Sequence, residues 1–403
     1  MRYSSSASDA LSGVKVLDLT RVLAGPYCTQ ILGDLGADII KIEKLKVGDD
    51  TRSWGPPFVG NTSCYFMSIN RNKRSVCINL KSCEGQEIIQ HLAKQSDVLV
   101  ENYLPGKMEE YGLAYEDLQK VNPQLIYCSI TGYGNTGPYA SRPGYDVIAS
   151  SMGGLNYVTG PEDGPPCKTG VALTDLATGL YAHGAIMAAL LQRQKTGRGQ
   201  RISANLLSTQ VACLVNLGAN YLMAGQEAKR WGTAHESIVP YQAFTTSDGY
   251  MTVGGANDRQ YQELCSRIKR SDLSSDPKYL TNALRVKNRR ELVDELTKTM
   301  STKSNAEWIE LFHGANFSYG PINSLSKVFA DPQVAHNSLV QEIEHPTAGP
   351  LKIVGPPVEF SDSGNRIRLP PPDLGQHTES VLKDRLGYSS SKIQQLRDRG
   401  VIS

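Results

Sequence analysis

Asp175 is the residue in this chain best placed to do chemistry. It stands in VALTDLATGLYAHGAIMAALLQRQKTGRGQ, residues 171–200. A β-branched lead-in reaches Thr174 and Asp175, and an apolar run over 180–191 continues as a helix. The basic, glycine-punctuated Lys195-Thr196-Gly197-Arg198-Gly199 then stops it. This spacing predicts Asp175 at or just inside a helix N-terminus, where unpaired backbone N–H groups and the helix dipole favour the ionised carboxylate. An aspartate whose pKa stays near ~3.9 is fully charged at neutral pH, and in a dry pocket it can act as a nucleophile. The competing reading is that Asp175 only caps the helix, the commoner role for an aspartate in that place.

Other candidates for chemistry fall away on inspection. Gly132-Tyr133-Gly134-Asn135-Thr136-Gly137 fits a dinucleotide fingerprint and follows a predicted strand. Pro138, Pro143 and Gly144 follow at once and break the helix that such a fingerprint must open. A nicotinamide site, and with it a dehydrogenase, is disfavoured. His235-Glu236 starts like a zinc-protease motif, but Val239 stands where the second histidine would be needed, so no metal site is expected. The chain has neither a G-x-S-x-G elbow nor a P-loop. His183 lies eight residues after Asp175, roughly 12 Å along a helix, too far for a catalytic pair.

The elements that must position Asp175 read as α/β. Residues 14–20, 26–35 and 38–43 form a strand, helix and strand, a unit that predicts a parallel, right-handed crossover. Strands at 75–80, 98–100 and 124–130 and a helix over 84–94 repeat the rhythm. Ligands of such a doubly wound domain bind beyond the carboxyl ends of its strands. Residues 202–224 read as a second long apolar helix. Short strands at 240–244 and 250–254 and helices near 260–268, 289–300 and 305–313 predict a smaller α+β domain. Two short helices, near 379–386 and 391–399, close the chain.

Composition sets the outer limits. With 403 residues, two or more domains and a large core are expected. Lys and Arg number 42 against 40 Asp and Glu, too even for a nucleic-acid binder working through bulk charge. No apolar run reaches the ~18 residues of a membrane span. The eight cysteines are scattered without a Cys-x-x-Cys pair and read as free thiols of a reducing compartment. The start, Met-Arg-Tyr-Ser-Ser-Ser-Ala-Ser, fits the stub of a removed transit peptide and an ordinary chain end equally well.

Several segments, in order and over nearly the whole chain, together resemble the class III (formyl-CoA transferase-like, CaiB/BaiF) CoA-transferases. They are VLDLTRVLAGPYCTQILGDLGADIIKIE near the start, NRNKRS at 70–75, VENYLPG at 100–106 and TGYGNTGPYASRPGYD at 131–146. The Asp175 segment with KTGRGQ, VPYQAF followed by DGYMTVGGANDRQ, and LGQHT at 374–378 complete the set. The resemblance implies a Rossmann-like large domain from residues 1–205 and 330–403, a linker helix over 206–225 and a small domain over 226–329. It implies an interlocked homodimer with active sites at the subunit interface. It also implies CoA transfer from succinyl-CoA to a free dicarboxylic acid such as glutarate. No permanently bound cofactor is expected, CoA esters being substrates, and the implied location is mitochondrial, with the cytoplasm as the alternative.

Residue by residue, the resemblance places Asp175 on the family's nucleophile and Val22, Leu23 and Ala24 on the loop meeting the pantetheine and thioester. Lys44, Asn102, Tyr103 and Tyr145 fall on CoA-contacting positions. Lys107 and Arg142 belong to a set of cations, with Lys46, Arg71, Lys73 and Arg74, from which a few are expected to meet CoA phosphates. Gly254 and Gly255 fall on a mobile glycine loop that shields the intermediate. Leu23 stands where the formyl-CoA enzyme carries glutamine, which counts against oxalate chemistry. The rivals are an α-methylacyl-CoA racemase of the same fold and a non-catalytic CoA-binding dimer. Related racemases carry a histidine where this chain has Tyr145, a poor base at neutral pH. Arg21, Arg71 and His235 are the candidates for a second carboxylate clamp.

Overall fold

The computed structural model describes residues 9–403, so the N-terminal targeting question lies outside the described residues. The chain forms two compact units. The first holds the described residues up to Leu155, Thr169–Ala224 and Gln333–Ser403; the second holds Asn156–Lys168 and Gly225–Pro332.

The first unit is built on a six-stranded sheet of β1 (Lys15–Asp18), β2 (Asp38–Glu43), β3 (Lys73–Cys77), β4 (Val98–Glu101), β5 (Ile126–Thr131) and β6 (Arg201–Asn205). Every pairing is parallel and the order is β3-β2-β1-β4-β5-β6. Runs such as DIIKIE and VLVE lack polar alternation because both faces of the sheet are covered. Successive strand residues therefore enter two different cores. Val16, Ile39, Val98 and Ile126 pack with Cys28 and Leu32 of α1 (Ala24–Asp34) and with Ala182 and Ile186 of the long helix Leu173–Thr196. Leu17, Ile40, Leu99 and Tyr127 pack on the opposite face with Ile88, Ile89 and Leu92 of α2 (Cys83–Lys94). The C-terminal helices Thr378–Leu386 and Ser390–Asp398 supply Val381, Leu382, Ile393 and Leu396 to that second core.

One expected helix is corrected. Residues 202–224 are not continuous helix: the first of them belong to β6, paired to β5 with Cys128 opposite Ile202. Asn205 ends the strand and caps the next helix, Leu206–Ala212, its Oδ1 accepting the Ser208 N–H at 2.7 Å. A second helix, Val215–Ala224, starts at Val215 with φ +44°. A strand needs only three or four apolar residues, and here they join the helical pattern without a break. Among the described residues no single helix is long and apolar enough to cross a membrane.

The second unit has an antiparallel sheet in the order β9-β8-β7, from β7 (Tyr241–Thr245), β8 (Tyr250–Gly254) and β9 (Ser318–Pro321). Phe244, Met251 and Val253 of the sheet pack against Tyr261, Leu264, Leu292, Leu296, Trp308 and Phe312 from three helices. Residues 156–168 cluster here although they precede the long helix in sequence. Arg230 donates to the carbonyls of Tyr157 and Gly164 at 3.0 Å each, and Lys229 pairs with Glu162 at 2.8 Å.

Candidate active site

A cavity of about 230 Å³ opens at the carboxyl ends of β1, β4 and β5. The strand order changes direction between β1 and β4, the place where a parallel sheet leaves a crevice for a ligand. The wall comes from Arg21, Val22, Leu23 and Ala24 after β1, from Asn102, Tyr103, Leu104 and Pro105 after β4, and from the loop after β5 that carries Arg142 and Tyr145. Asp50, Leu206 and Asp175 complete it.

Asp175 reaches this wall because α4 (Leu173–Thr196) crosses closely over α1, the connecting helix Asp146–Met152 being α3. Gly179, four residues after Asp175, makes that approach possible: a Cβ there would stand 2.7 Å from the Ala24 carbonyl oxygen. Gly132 and Gly144 do the same for the β5 loop, since a Cβ on Gly132 would lie 2.8 Å from the Gly144 Cα. The glycine-rich stretch after β5 thus serves loop closure.

Asp175 is the third residue of α4 and is 9% exposed. Its side chain does not cap the helix. The cap comes from Asp146, whose Oδ2 accepts the Asp175 N–H at 3.1 Å. Ser150 and Thr174 hydroxyls meet at 2.8 Å, and Thr174 donates to Gln210 Oε1 at 2.8 Å, so a polar chain underlies the turn. Burial pushes the Asp175 carboxyl up to about 7, and the Asp146 charge adds to the rise. Full ionisation at neutral pH, expected from the sequence, is therefore corrected: a buried, uncompensated carboxylate holds its proton longer. Burial, followed by the charges of Asp175 and Asp146, holds the Tyr65 phenol at about 12, so Tyr65 stays a hydrogen-bond donor at neutral pH.

The loop between β1 and α1 is held from below. Val22 adopts φ +70°, a conformation that a β-branched residue rarely takes. Asp49 Oδ1 accepts the Val22 N–H at 3.2 Å, and Lys41 Nζ, fully buried, binds Asp49 Oδ2 and the Thr20 carbonyl at 2.9 Å each. Asn102 brackets Arg21, accepting its N–H at 2.9 Å and donating to its carbonyl at 2.7 Å. Deeper, burial raises the Asp18 carboxyl, but Lys73, Lys41 and the hydroxyls of Thr20 and Thr29 override it and hold it at about 2. The reward is the first turn of α1, presented to the cavity by Leu23 and Ala24. Its leading N–H groups precede the first intrahelical bond, from Tyr27 N–H to the Leu23 carbonyl.

Val22, Leu23, Ala24, Asn102, Tyr103, Arg142, Tyr145 and Asp175 thus come together. Lys44 and Lys107 do not line the cavity: Lys44 is exposed and 3.7 Å from Asp50, and Lys107 is paired with Glu110 at 2.5 Å. Arg71 and Lys73 leave the list of CoA-binding cations, because both are buried in ion pairs, Arg71 with Asp34 at 2.6 Å and Lys73 with Asp18 at 3.1 Å. Arg71 likewise cannot serve as a carboxylate clamp. Gly254 ends β8 in the second unit, with Gly255 following.

The family model for CoA-transferase family III matches residues 11–378. The chain belongs to this family. It is 56% identical over 392 residues to the succinyl-CoA:glutarate CoA-transferase of Mus musculus, covering 97% of this chain and 90% of that one. It is 54% identical over the same length to the Homo sapiens protein of that name, with the same coverage. Among solved structures it resembles a CAIB/BAIF family protein from Brucella suis, with a TM-score of 0.86 and 39% identity over 94% of this chain and 100% of that one.

Sequence reasoning about this family III CoA-transferase missed Asp146, Tyr65, Gln210 and the Lys41–Asp49 pair. Asp146 directly follows the singled-out Tyr145, yet nothing in its spacing ties it to a helix 29 residues away. The buried lysines sit in strands whose pattern reads as ordinary β-structure, and only the pairing of β1 with β2 shows that Lys41 points under the loop.

Proposed function

We propose that this CoA-transferase moves CoA from succinyl-CoA to glutarate or a closely related free dicarboxylate, with Asp175 as nucleophile. The carrying observation is a buried, proton-retaining carboxyl that shares one cavity with the first turn of α1, in a chain over half identical to two proteins named for that reaction.

Ionised Asp175 attacks the thioester carbonyl; the C–S bond breaks and CoA leaves as thiolate, giving an aspartyl–succinyl anhydride. The thiolate then attacks the aspartyl carbonyl, forming an aspartyl-CoA thioester and releasing succinate. Glutarate reverses the two steps and leaves as glutaryl-CoA, with Asp175 restored. Each intermediate conserves the energy of the thioester, so the balance closes without ATP. The leading N–H groups of α1 suit the oxyanion formed at each attack. Val22, Leu23, Asn102 and Tyr103 form the wall for pantetheine, while Lys44, Lys107 and Arg142 meet the phosphates from the rim. Gly254 and Gly255 shield the anhydride from water.

The same reading takes the strand order as support for a Rossmann-like large domain. It assigns residues 1–205 and 330–403 to that domain, 206–225 to a linker and 226–329 to an α+β domain. It includes an interlocked homodimer and a mitochondrial location.

The test is a panel of free mono- and dicarboxylates incubated with succinyl-CoA and scored for new acyl-CoA by mass spectrometry. Glutaryl-CoA should dominate, and hydroxylamine added during turnover should leave a hydroxamate on Asp175. A label on another residue, or no preference for dicarboxylates, would overturn the reading. Racemase activity is separated by turnover in deuterated water: a transferase leaves the α-proton of the acyl group in place.

A further inference from the structure

We infer that Arg21 holds the distal carboxylate of the substrate and thereby selects dicarboxylates over monocarboxylates. This rests on the transferase reading above and names the residue responsible for its acid specificity. Succinyl and glutaryl groups both end in a carboxylate that the enzyme must neutralise while the other end reacts at Asp175. Among the described residues two cationic side chains line the cavity with Asp175: Arg21 and Arg142. Arg142 is exposed, its guanidinium lying over the Tyr139 ring 4.3 Å from the ring centre.

Arg21 is the half-buried one, and its donors are not all used. One end of the guanidinium, Nη1, meets Asp50 at 2.5 Å. Its Nε is shut off from solvent and has no hydrogen-bond partner among the described residues. A buried guanidinium donor without an acceptor is costly, and a carboxylate that reaches the guanidinium, whose side chain is 31% exposed, can supply one after a small side-chain shift. Charge points the same way. Asp50 is shared with Lys44 at 3.7 Å, so one carboxylate faces two cations and this wall keeps a positive surplus. Asp49 next door is committed to the buried Lys41. The Arg21 backbone is fixed on both sides by Asn102, and its guanidinium lies 5.7 Å from the Tyr103 ring centre, so the fork is held rather than free. A planar fork suits a carboxylate better than a point charge would.

The test compares acceptors at one fixed donor, which cancels any effect on succinyl-CoA itself. The full-length enzyme is assayed with glutarate and with pentanoate, which has the same carbon chain without the second carboxylate. Arg21→Gln should lower the glutarate-to-pentanoate ratio of kcat/KM about ten- to a hundredfold, the scale of one charge-assisted contact. Arg21→Lys should fall in between. Asp50→Asn, which frees the guanidinium, should raise the ratio about two- to fivefold. Arg142→Gln should act on the KM for the CoA ester instead. A wild-type ratio in soluble Arg21→Gln, a collapse in Arg142→Gln, or no rise in Asp50→Asn would each overturn the assignment. A wild-type enzyme indifferent to the second carboxylate would instead overturn the dicarboxylate reading itself.

Discussion

At the scale of single residues, Asp175 carries a conflict between readiness and stability. As the proposed nucleophile it must be ionised, yet its site gives it burial and a like charge, Asp146, where it needs solvation. The rate should therefore rise as pH climbs through about 7, because only the ionised form attacks. A pH profile of kcat/KM flat between 6 and 8 would contradict this. Stability has the opposite sign. The folded carboxyl keeps its proton to about 7, while the unfolded one loses it near ~4, so in that window the folded state binds more protons and stability falls as pH rises. Above it the cost is constant, on the order of 2–4 kcal/mol at ~1.4 kcal/mol per pH unit. Asp175→Asn has no such charge. It should lose transfer by several orders of magnitude and yet be the more stable protein at pH 8, with the gap closing below pH 4. Denaturant midpoints at the two pH values check both signs. Asp175 was legible in its flanks as the candidate nucleophile; its perturbed acidity was not, because burial, the main cause, comes from tertiary packing and the Asp146 charge lies on another helix.

At the scale of elements, the site depends on a loop bent against its own preference. Val22 in the left-handed region costs roughly 1–2 kcal/mol, which the surrounding bonds must offset. The Lys41–Asp49 pair does so from strand β2 and the turn after it, although neither residue lines the cavity. Breaking a buried pair on one side typically costs about 3–5 kcal/mol. Asp49→Asn should thus lower stability by that order and also reduce kcat, since the first turn of α1 loses its fixed aim at Asp175. A variant that loses stability while kcat holds would show that the loop is positioned by Asn102 alone. Strands such as DIIKIE were legible as strands from their β-branched runs. What Lys41 does within one of them was not, because a buried charge is explained only by its partner, and Asp49 sits in a turn without periodicity. The break at 202–206 was hidden for the converse reason: its apolar residues suit a strand and a helix equally.

At the scale of the whole molecule, the apolar surface of the first unit lacks a cover. On the helix Val215–Ala224 no residue is buried, and Leu222 and Met223 are 84% and 88% exposed. Val215 at the start of that helix and Leu180, Tyr181 and Leu191 on α4 are also exposed. Exposed large apolar side chains of this size on two helices suit an interaction surface, and a second copy of the chain is the partner that the proposed function includes. A lasting dimer buries about 1,600 Å² or more. If the subunits are linked, dissociation needs unfolding. Sedimentation should then show a dimer at nanomolar concentration. Two differently tagged preparations, mixed at neutral pH for a day, should form no hybrid until they are taken through denaturant and refolded. Leu222→Asp combined with Met223→Asp places two charges on the surface to be covered and should give aggregates or monomers without transfer activity. Hybrids forming within minutes would leave the dimer but remove the linkage. A folded, active monomer would remove both, and flotation of the wild-type chain with lipid vesicles would give the apolar helix a different partner.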